Sequence, residues 1–137
     1  MRLNLKMIKS DEITLYAIRG LPGSGKTSFA KSLNINFYEA DQYFEKFNKG
    51  IFDHELLKKA HQYCYESVKQ ELEKGQSAIV SNTMTSKEEL SEYQDLAQKL
   101  NVKFVSVILE NRHEGVSIHG VPEETIEKMK KRFDIKL

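Results

Sequence analysis

The sequence predicts an α/β domain, a parallel sheet with helices on both faces. An apolar, β-leaning run, Ile13-Thr14-Leu15-Tyr16-Ala17-Ile18, leads directly into a glycine-rich loop and then into Ser28-Phe29-Ala30-Lys31-Ser32-Leu33, which has helical spacing. Further short apolar runs alternate with segments whose apolar residues recur at three- and four-residue steps. That alternation is the mark of strands joined by right-handed crossover helices. One run, Ser77-Ala78-Ile79-Val80-Ser81, is apolar on both faces, as a central parallel strand must be.

The elements follow in order. After the first strand, loop and helix, Ile35-Asn36-Phe37-Tyr38-Glu39-Ala40 reads as a short second strand ending at Asp41. A polar link around Asn48-Lys49-Gly50 leads to Asp53, an N-cap for a helix from about His54 to Lys74. Leu56, Leu57, Ala60, Tyr63, Cys64, Val68 and Leu72 form its buried stripe, and Gly75 closes it. The third strand is 77–81. Ser86 with Glu89 makes a capping box for a helix through Leu90, Tyr93, Leu96, Ala97 and Leu100. The run 102–109 is the fourth strand. Pro122 suits the first turn of a last helix with Ile126, Met129 and Phe133 inward. Residues 1–12 read as an edge strand or an ordered arm.

The loop itself is the strongest chemical signal. Gly20-Leu21-Pro22-Gly23-Ser24-Gly25-Lys26-Thr27 fits G-x-x-x-x-G-K-[ST] at every fixed position. Its glycines let successive N–H groups converge on phosphate oxygens, Lys26 adds charge near the β/γ-phosphates, and Thr27 offers a hydroxyl to Mg²⁺. Ser28 opens the helix whose unpaired N–H groups complete the anion site. The expected ligand is a nucleoside triphosphate, ATP, with Mg²⁺.

Composition narrows the rest. The 137 residues make one domain, 1–137. A formal net charge of +1 excludes a globally basic nucleic-acid binder. The single cysteine, Cys64, cannot form an internal disulfide and reads as a buried thiol, which suits a cytoplasmic protein. No apolar run has the length of a membrane span, and the N-terminus lacks the apolar core of a signal peptide. The chain is too short for a large motor ATPase. No Cys or carboxylate set turns His54 and His61 into a metal site. Lys128, Lys130, Lys131, Arg132 and Lys136 form one basic cluster, which follows Glu123, Glu124 and Glu127 as a solvated helix would.

Ligands of parallel α/β sheets gather at the carboxyl ends of the strands. Asp41 ends the second strand, where a carboxylate can orient an attacking hydroxyl and accept its proton. The same residue type is a favoured helix cap, and both roles stay open from the residues alone. Glu110, at the end of the fourth strand, is a secondary carboxylate. His61 either lines the acceptor cleft or packs between helices.

Glu39-Ala40-Asp41-Gln42-Tyr43-Phe44, Ala60-His61-Gln62-Tyr63-Cys64, Ser81-Asn82-Thr83 and His119-Gly120-Val121-Pro122 occur in that order after the loop. With them the chain resembles the small P-loop kinases related to the kinase domain of phage polynucleotide 5′-kinase, often labelled AAA-type ATP-binding proteins. The resemblance implies an adenylate-kinase-like, three-layer P-loop NTPase fold, with a parallel sheet of four or five strands ordered 2-3-1-4. It implies that Asp41 is the catalytic base, reaching Mg²⁺ through water, and that Arg112 grips the donor phosphates from a shortened lid-like loop at 110–121. It places Tyr43, Phe44, His61, Asn82 and Thr83 on the acceptor side. The family's D-N-T segment reads Ser81-Asn82-Thr83 here, and the arginine three residues after the phage base is Phe44. Tyr43 or Phe44 would then stack on a base. The expected activity is Mg-ATP-dependent transfer of the γ-phosphoryl group to the 5′-hydroxyl of a polynucleotide, with a single-stranded nucleic-acid 5′ end as the candidate partner. The alternatives are a kinase for a nucleoside, nucleotide or metabolite, and a non-catalytic nucleotide-binding module.

Overall fold

The computed structural model describes residues 12–84, 86–110 and 123–132. The chain runs β1 (Thr14–Gly20), α1 (Lys26–Ser32), β2 (Phe37–Tyr38) and α2 (Asp41–Phe47). A 3₁₀ turn at His54–Leu56 then opens α3 (Leu57–Glu73), followed by β3 (Ala78–Asn82), α4 (Lys87–Leu100), β4 (Lys103–Leu109) and α5 (Glu123–Arg132). The described strands form one four-stranded sheet in the order β2-β3-β1-β4. Every pairing is parallel, with Ile18 opposite both Ser81 and Val107.

Strand alternation divides the core into two layers. Leu15, Ala17, Ala78 and Val80 face Cys64, Val68 and Leu72 of α3 and Leu90, Tyr93, Leu96 and Ala97 of α4. On the other face Ile18 and Ile79 meet Ala30 of α1, flanked by Phe29 and Leu33. Burying each of the Leu, Ile and Val side chains among them contributes roughly 1.5–3 kcal/mol, so neither layer forms without its helices. A smaller cluster of Ala40, Phe44 and Ala60 ties α2 to α3.

Local signals set the boundaries. Asp53 accepts from the Glu55 N–H at 3.0 Å and Ser86 from the Glu89 N–H at 3.2 Å. Gly75 leaves α3 at φ 80°.

Three departures from the sequence expectation bear on the candidate site. The second strand pairs only at Phe37–Tyr38, because Glu39 and Ala40 turn out of the sheet into α2. A turn or helix starting at Gln42 was expected only if Asp41 were its cap; the helix instead starts at Asp41 itself, and its seven residues show no clear period. The 48–50 segment is its tight C-terminal turn, with Asn48 and Gly50 N–H groups both on the Phe44 carbonyl. The third strand extends to Asn82, which puts Ser81 inside the sheet. Of the arm expected at 1–12 only Glu12 is described, and it pairs with Lys103 at 3.5 Å. Most of the 110–121 loop, with Arg112, His113 and His119, lies outside the described residues, as do Phe133 and Lys136.

Candidate active site

β1 carries the chain into the phosphate loop with no slack. A Cβ at Gly20 would displace the Ser24 hydroxyl and sit 3.1 Å from the Leu109 carbonyl, a tight contact that favours glycine. Gly25 caps α1 at φ 91°, a conformation that L side chains rarely adopt. The Ser24 N–H closes a turn on the Leu21 carbonyl at 3.1 Å, and Lys26 Nζ donates to that same carbonyl at 3.1 Å. Burial pulls the Lys26 ammonium below its ordinary pKa, while the charges of Glu39 and then Asp41 oppose that shift. Both carboxylates therefore lie within electrostatic reach of the loop lysine.

The β2–α2 turn faces this loop and is held by two side-chain amides. Gln42 accepts from the Glu39 N–H at 3.2 Å and donates to the Phe37 carbonyl at 3.2 Å. Asn82, at the end of β3, accepts from the Ala40 N–H at 3.0 Å, and its NH₂ lies 3.6 Å from Cys64 Sγ. Ala40 is the N-cap of α2 and makes no side-chain cap bond, so Asp41 occupies the first helical position and not the cap. Asp41 is half-buried, directly after the turn that Gln42 and Asn82 hold.

Sequence reasoning missed Glu39. Its Oε2 accepts from the Thr27 hydroxyl at 2.7 Å, and the residue is only 9% exposed. A carboxylate two residues before a candidate base was a visible signal, but its contact with Thr27 exists only in three dimensions. Arg19 was missed as well. It is fully buried on the α3/α4 side of β1, and its Nε and Nη2 donate to the Met84 carbonyl at 3.1 and 2.9 Å. Those bonds hold the loop that follows β3, where Met84 adopts φ 45°.

The acceptor-side candidates separate. Tyr43 is half-buried, with its ring 5.0 Å from Phe47 and 5.8 Å from Tyr63. Phe47 is exposed, and Lys46 Nζ lies 5.6 Å over its ring. Phe44 is corrected. At 3% exposure it packs against Ala40 and Ala60 and has no free face for a base. Asn82 is buried, and its amide accepts from the Ala40 N–H and lies 3.6 Å from Cys64 Sγ, so its described contacts hold the fold. Thr83 is half-buried and His61 is exposed on α3, so His61 does not pack in a helix interface. Glu110 is exposed just beyond β4. Lys128, Lys130 and Lys131 are exposed on α5, where Lys130 pairs with Glu127 at 3.3 Å.

Cys64 is 1% exposed, and burial pushes its thiol up to about 11, which fits an inert core residue. No group of three His, Cys, Asp or Glu side chains suited to a metal occurs among the described residues. A phosphate loop implies Mg²⁺, which takes few protein ligands alongside phosphate oxygens and water. The donor set fits that ion, since Thr27 and Glu39 present hard oxygens together. Ser81, on the α1 face of β3, adds a buried hydroxyl with no hydrogen-bond partner among the described residues. No described helix is long and apolar enough to cross a membrane.

A parallel 2-3-1-4 sheet, with a G-x-x-x-x-G-K-T loop between β1 and α1, defines the P-loop kinase class. Within it the chain belongs to the AAA-domain family AAA_33, which it matches over residues 15–135. It is 30% identical to human (Homo sapiens) NEDD4-binding protein 2 over 88% of this chain, which corresponds to 8% of that protein. The fold is similar to a chain of the Pnkp1/Rnl/Hen1 RNA repair complex, with TM-score 0.71, 17% identity, and coverage of 89% of this chain and 44% of that one. It is also similar to the Mycobacterium tuberculosis APS kinase CysC in complex with AMPPNP and APS, with TM-score 0.54, 16% identity, and coverage of 85% and 67%. The chain thus spans less than half the length of the first two of these relatives.

Proposed function

We propose that this protein is a Mg-ATP-dependent kinase that transfers the γ-phosphoryl group to the 5′-hydroxyl of a polynucleotide. The observation that carries this reading is the β2–α2 turn. It sets Asp41 one helical position past a buried cap and within electrostatic reach of Lys26. The loop N–H groups and Lys26 would hold the triphosphate, and Lys26 would leave the Leu21 carbonyl for the β/γ-phosphates. Mg²⁺, when bound, supplies charge neutralisation on the phosphates, with Thr27 among its ligands. Asp41 orients the acceptor hydroxyl and takes its proton as the new O–P bond forms and the bond to the ADP leaving group breaks. Arg112 is assigned to the donor phosphates, where charge spreads in the transition state.

The polynucleotide acceptor is supported by the fold shared with a chain of an RNA repair complex. It is supported too by the aromatic face that Tyr43 and Phe47, on the helix that Asp41 begins, form with Tyr63 of α3, with Lys46 beside it. Base–aromatic stacking beside a cation is how single strands are held without sequence reading. A small-molecule acceptor is the second reading, favoured by the buried, apolar Phe44 where the phage enzyme has an arginine. The buried Cys64 thiol suits a cytoplasmic setting.

The deciding experiment offers γ-labelled ATP with 5′-hydroxyl DNA, 5′-hydroxyl RNA, nucleosides and nucleoside monophosphates. Label is expected on a 5′-hydroxyl strand. Label on a nucleoside or nucleotide alone selects the small-molecule reading, and label only in inorganic phosphate overturns the kinase assignment.

A further inference from the structure

The stripe of β1 that faces α3 and α4 begins with the apolar Leu15 and Ala17 and ends with Arg19, one residue before the phosphate loop. All three are fully buried. A core accepts a guanidinium only where its donors are satisfied, so an arginine in this place calls for a reason beyond packing. Its Nε and Nη2 both donate to the Met84 carbonyl, at 3.1 and 2.9 Å. Met84 has φ 45°, a conformation that a residue with a side chain keeps only where its surroundings hold it. The Met84 side chain is buried in the same core layer as Leu90 and Tyr93. Side chain and carbonyl are thus both anchored.

The strand order shows what this anchoring serves. In the sequence β2-β3-β1 across the sheet, the end of β3 stands between the β2–α2 turn, which carries Asp41, and the phosphate loop after β1. A hydroxyl that spans from Asp41 to a triphosphate on that loop therefore passes the residue following β3, which is Thr83. Both neighbours of Thr83 are tied down. Asn82 accepts from the Ala40 N–H at 3.0 Å, and Met84 is held by Arg19. Arg19 and Asn82 are opposed in the β1–β3 register, so one level of the sheet links the β2–α2 turn to the β3–α4 loop.

We infer that Arg19 is a positioning residue for the acceptor: its two-pronged grip on the Met84 carbonyl sets Thr83 on the path between Asp41 and the triphosphate. This deepens the kinase reading of the same site and rests on it. Arg19 is fully buried and acts through the β3–α4 loop, not by contact with either substrate. Its fork is rigid and is carried by a central strand, whereas a lysine would offer a single flexible point charge. Small misplacements of reacting groups are costly in rate. Loss of the fork is therefore felt in the transfer step and not in nucleotide binding.

The test compares the wild-type chain with Arg19→Met, which keeps an unbranched side chain and removes every donor, below the melting transition of both. Mg-ATP affinity is read by isothermal titration. Transfer from γ-labelled ATP is read as kcat with whichever probe the wild type labels: 5′-hydroxyl DNA, 5′-hydroxyl RNA, a nucleoside or a nucleoside monophosphate. The expected result is kcat lower by about fivefold or more, with the Mg-ATP dissociation constant within about twofold of wild type. A smaller loss of kcat overturns the inference even if the melting temperature falls, because Arg19 is then structural only. A loss of ATP affinity as large as the loss of kcat also overturns it, since the fault then lies in the phosphate loop that begins at the next residue. If Arg19→Met does not fold, Arg19→Lys carries the test. It must lose about twofold or more in kcat with its ATP affinity kept, and a smaller loss overturns the inference. A wild-type chain that labels none of the probes overturns the kinase reading and this inference with it, an outcome seen before any Arg19 variant is made.

Discussion

Lys26 begins α1 and Asp41 begins α2, and under the proposed reading their substitutions should separate cleanly. Lys26→Ala removes a charge-assisted contact to the triphosphate, a loss of roughly 1.5–3 kcal/mol in a partly buried setting. Isothermal titration with Mg-ATP should then show affinity at least about tenfold weaker, and unchanged affinity in the folded variant would sink the loop assignment. Asp41→Asn preserves size but removes the proton acceptor. Because Ala40 and not Asp41 is the cap of α2, this variant should keep its melting temperature and its ATP affinity. Its phosphoryl transfer should fall on the order of 10²-fold, measured as kcat with the labelled-ATP assay. Full activity would move the base elsewhere. Asp41 stands out in the sequence as a candidate because a carboxylate at a strand's carboxyl end has a short list of uses. Phe44 was misjudged, because an aromatic residue in a seven-residue helix gives no sequence sign of which way it faces.

At the scale of elements, β2 and α3 are joined by one buried acid. Glu71, 5% exposed, accepts from Asn36 Nδ2 at 2.9 Å and from the Tyr38 hydroxyl at 2.8 Å. Glu71→Ala leaves both donors without their acceptor and should cost about 2 kcal/mol, read as a lower urea midpoint. An unshifted midpoint would mean that water replaces the carboxylate fully. The aromatic face of α2 carries a separate prediction. Base stacking is worth roughly 1–3 kcal/mol, so Phe47→Ala should raise KM for a 5′-hydroxyl oligonucleotide by roughly fivefold or more with little change in kcat. Equal KM values would remove Phe47 from the acceptor surface. Long helices such as α3 and α4 were readable in sequence because several turns of apolar spacing repeat the same face. The seven residues of α2 repeat it too few times, and its packing on α3 decides that it is helical.

For the whole molecule, alkaline pH tests the burial pattern. Burial and the Glu71 bond push Tyr38 from its ordinary value of 10.0 up to about 12, and burial pushes Cys64 from 9.0 up to about 11. Both groups stay protonated in the folded chain after the unfolded chain has lost those protons. Their contribution to stability is therefore complete below about pH 9 and is lost as pH rises toward about 12. Melting temperature should fall across that window, and less steeply in Tyr38→Phe. A profile flat from pH 9 to 12 would contradict the burial of both groups.

The sequence by itself determined the strand–loop–helix unit and the alternation of strands and helices, and it marked residues 20–27 as the phosphate-loop candidate. These are local patterns, written in the order of neighbouring residues, and Gly25 has a local reason to be there in its φ of 91°. The strand order 2-3-1-4 came from resemblance, since periodicity does not say which strands pair. Only the tertiary structure decided that Glu39 meets Thr27 across twelve residues, that Arg19 holds Met84 across sixty-five, and that Asn82 serves the β2–α2 turn. Those contacts depend on where separate elements end relative to one another, and packing of the two core layers fixes that.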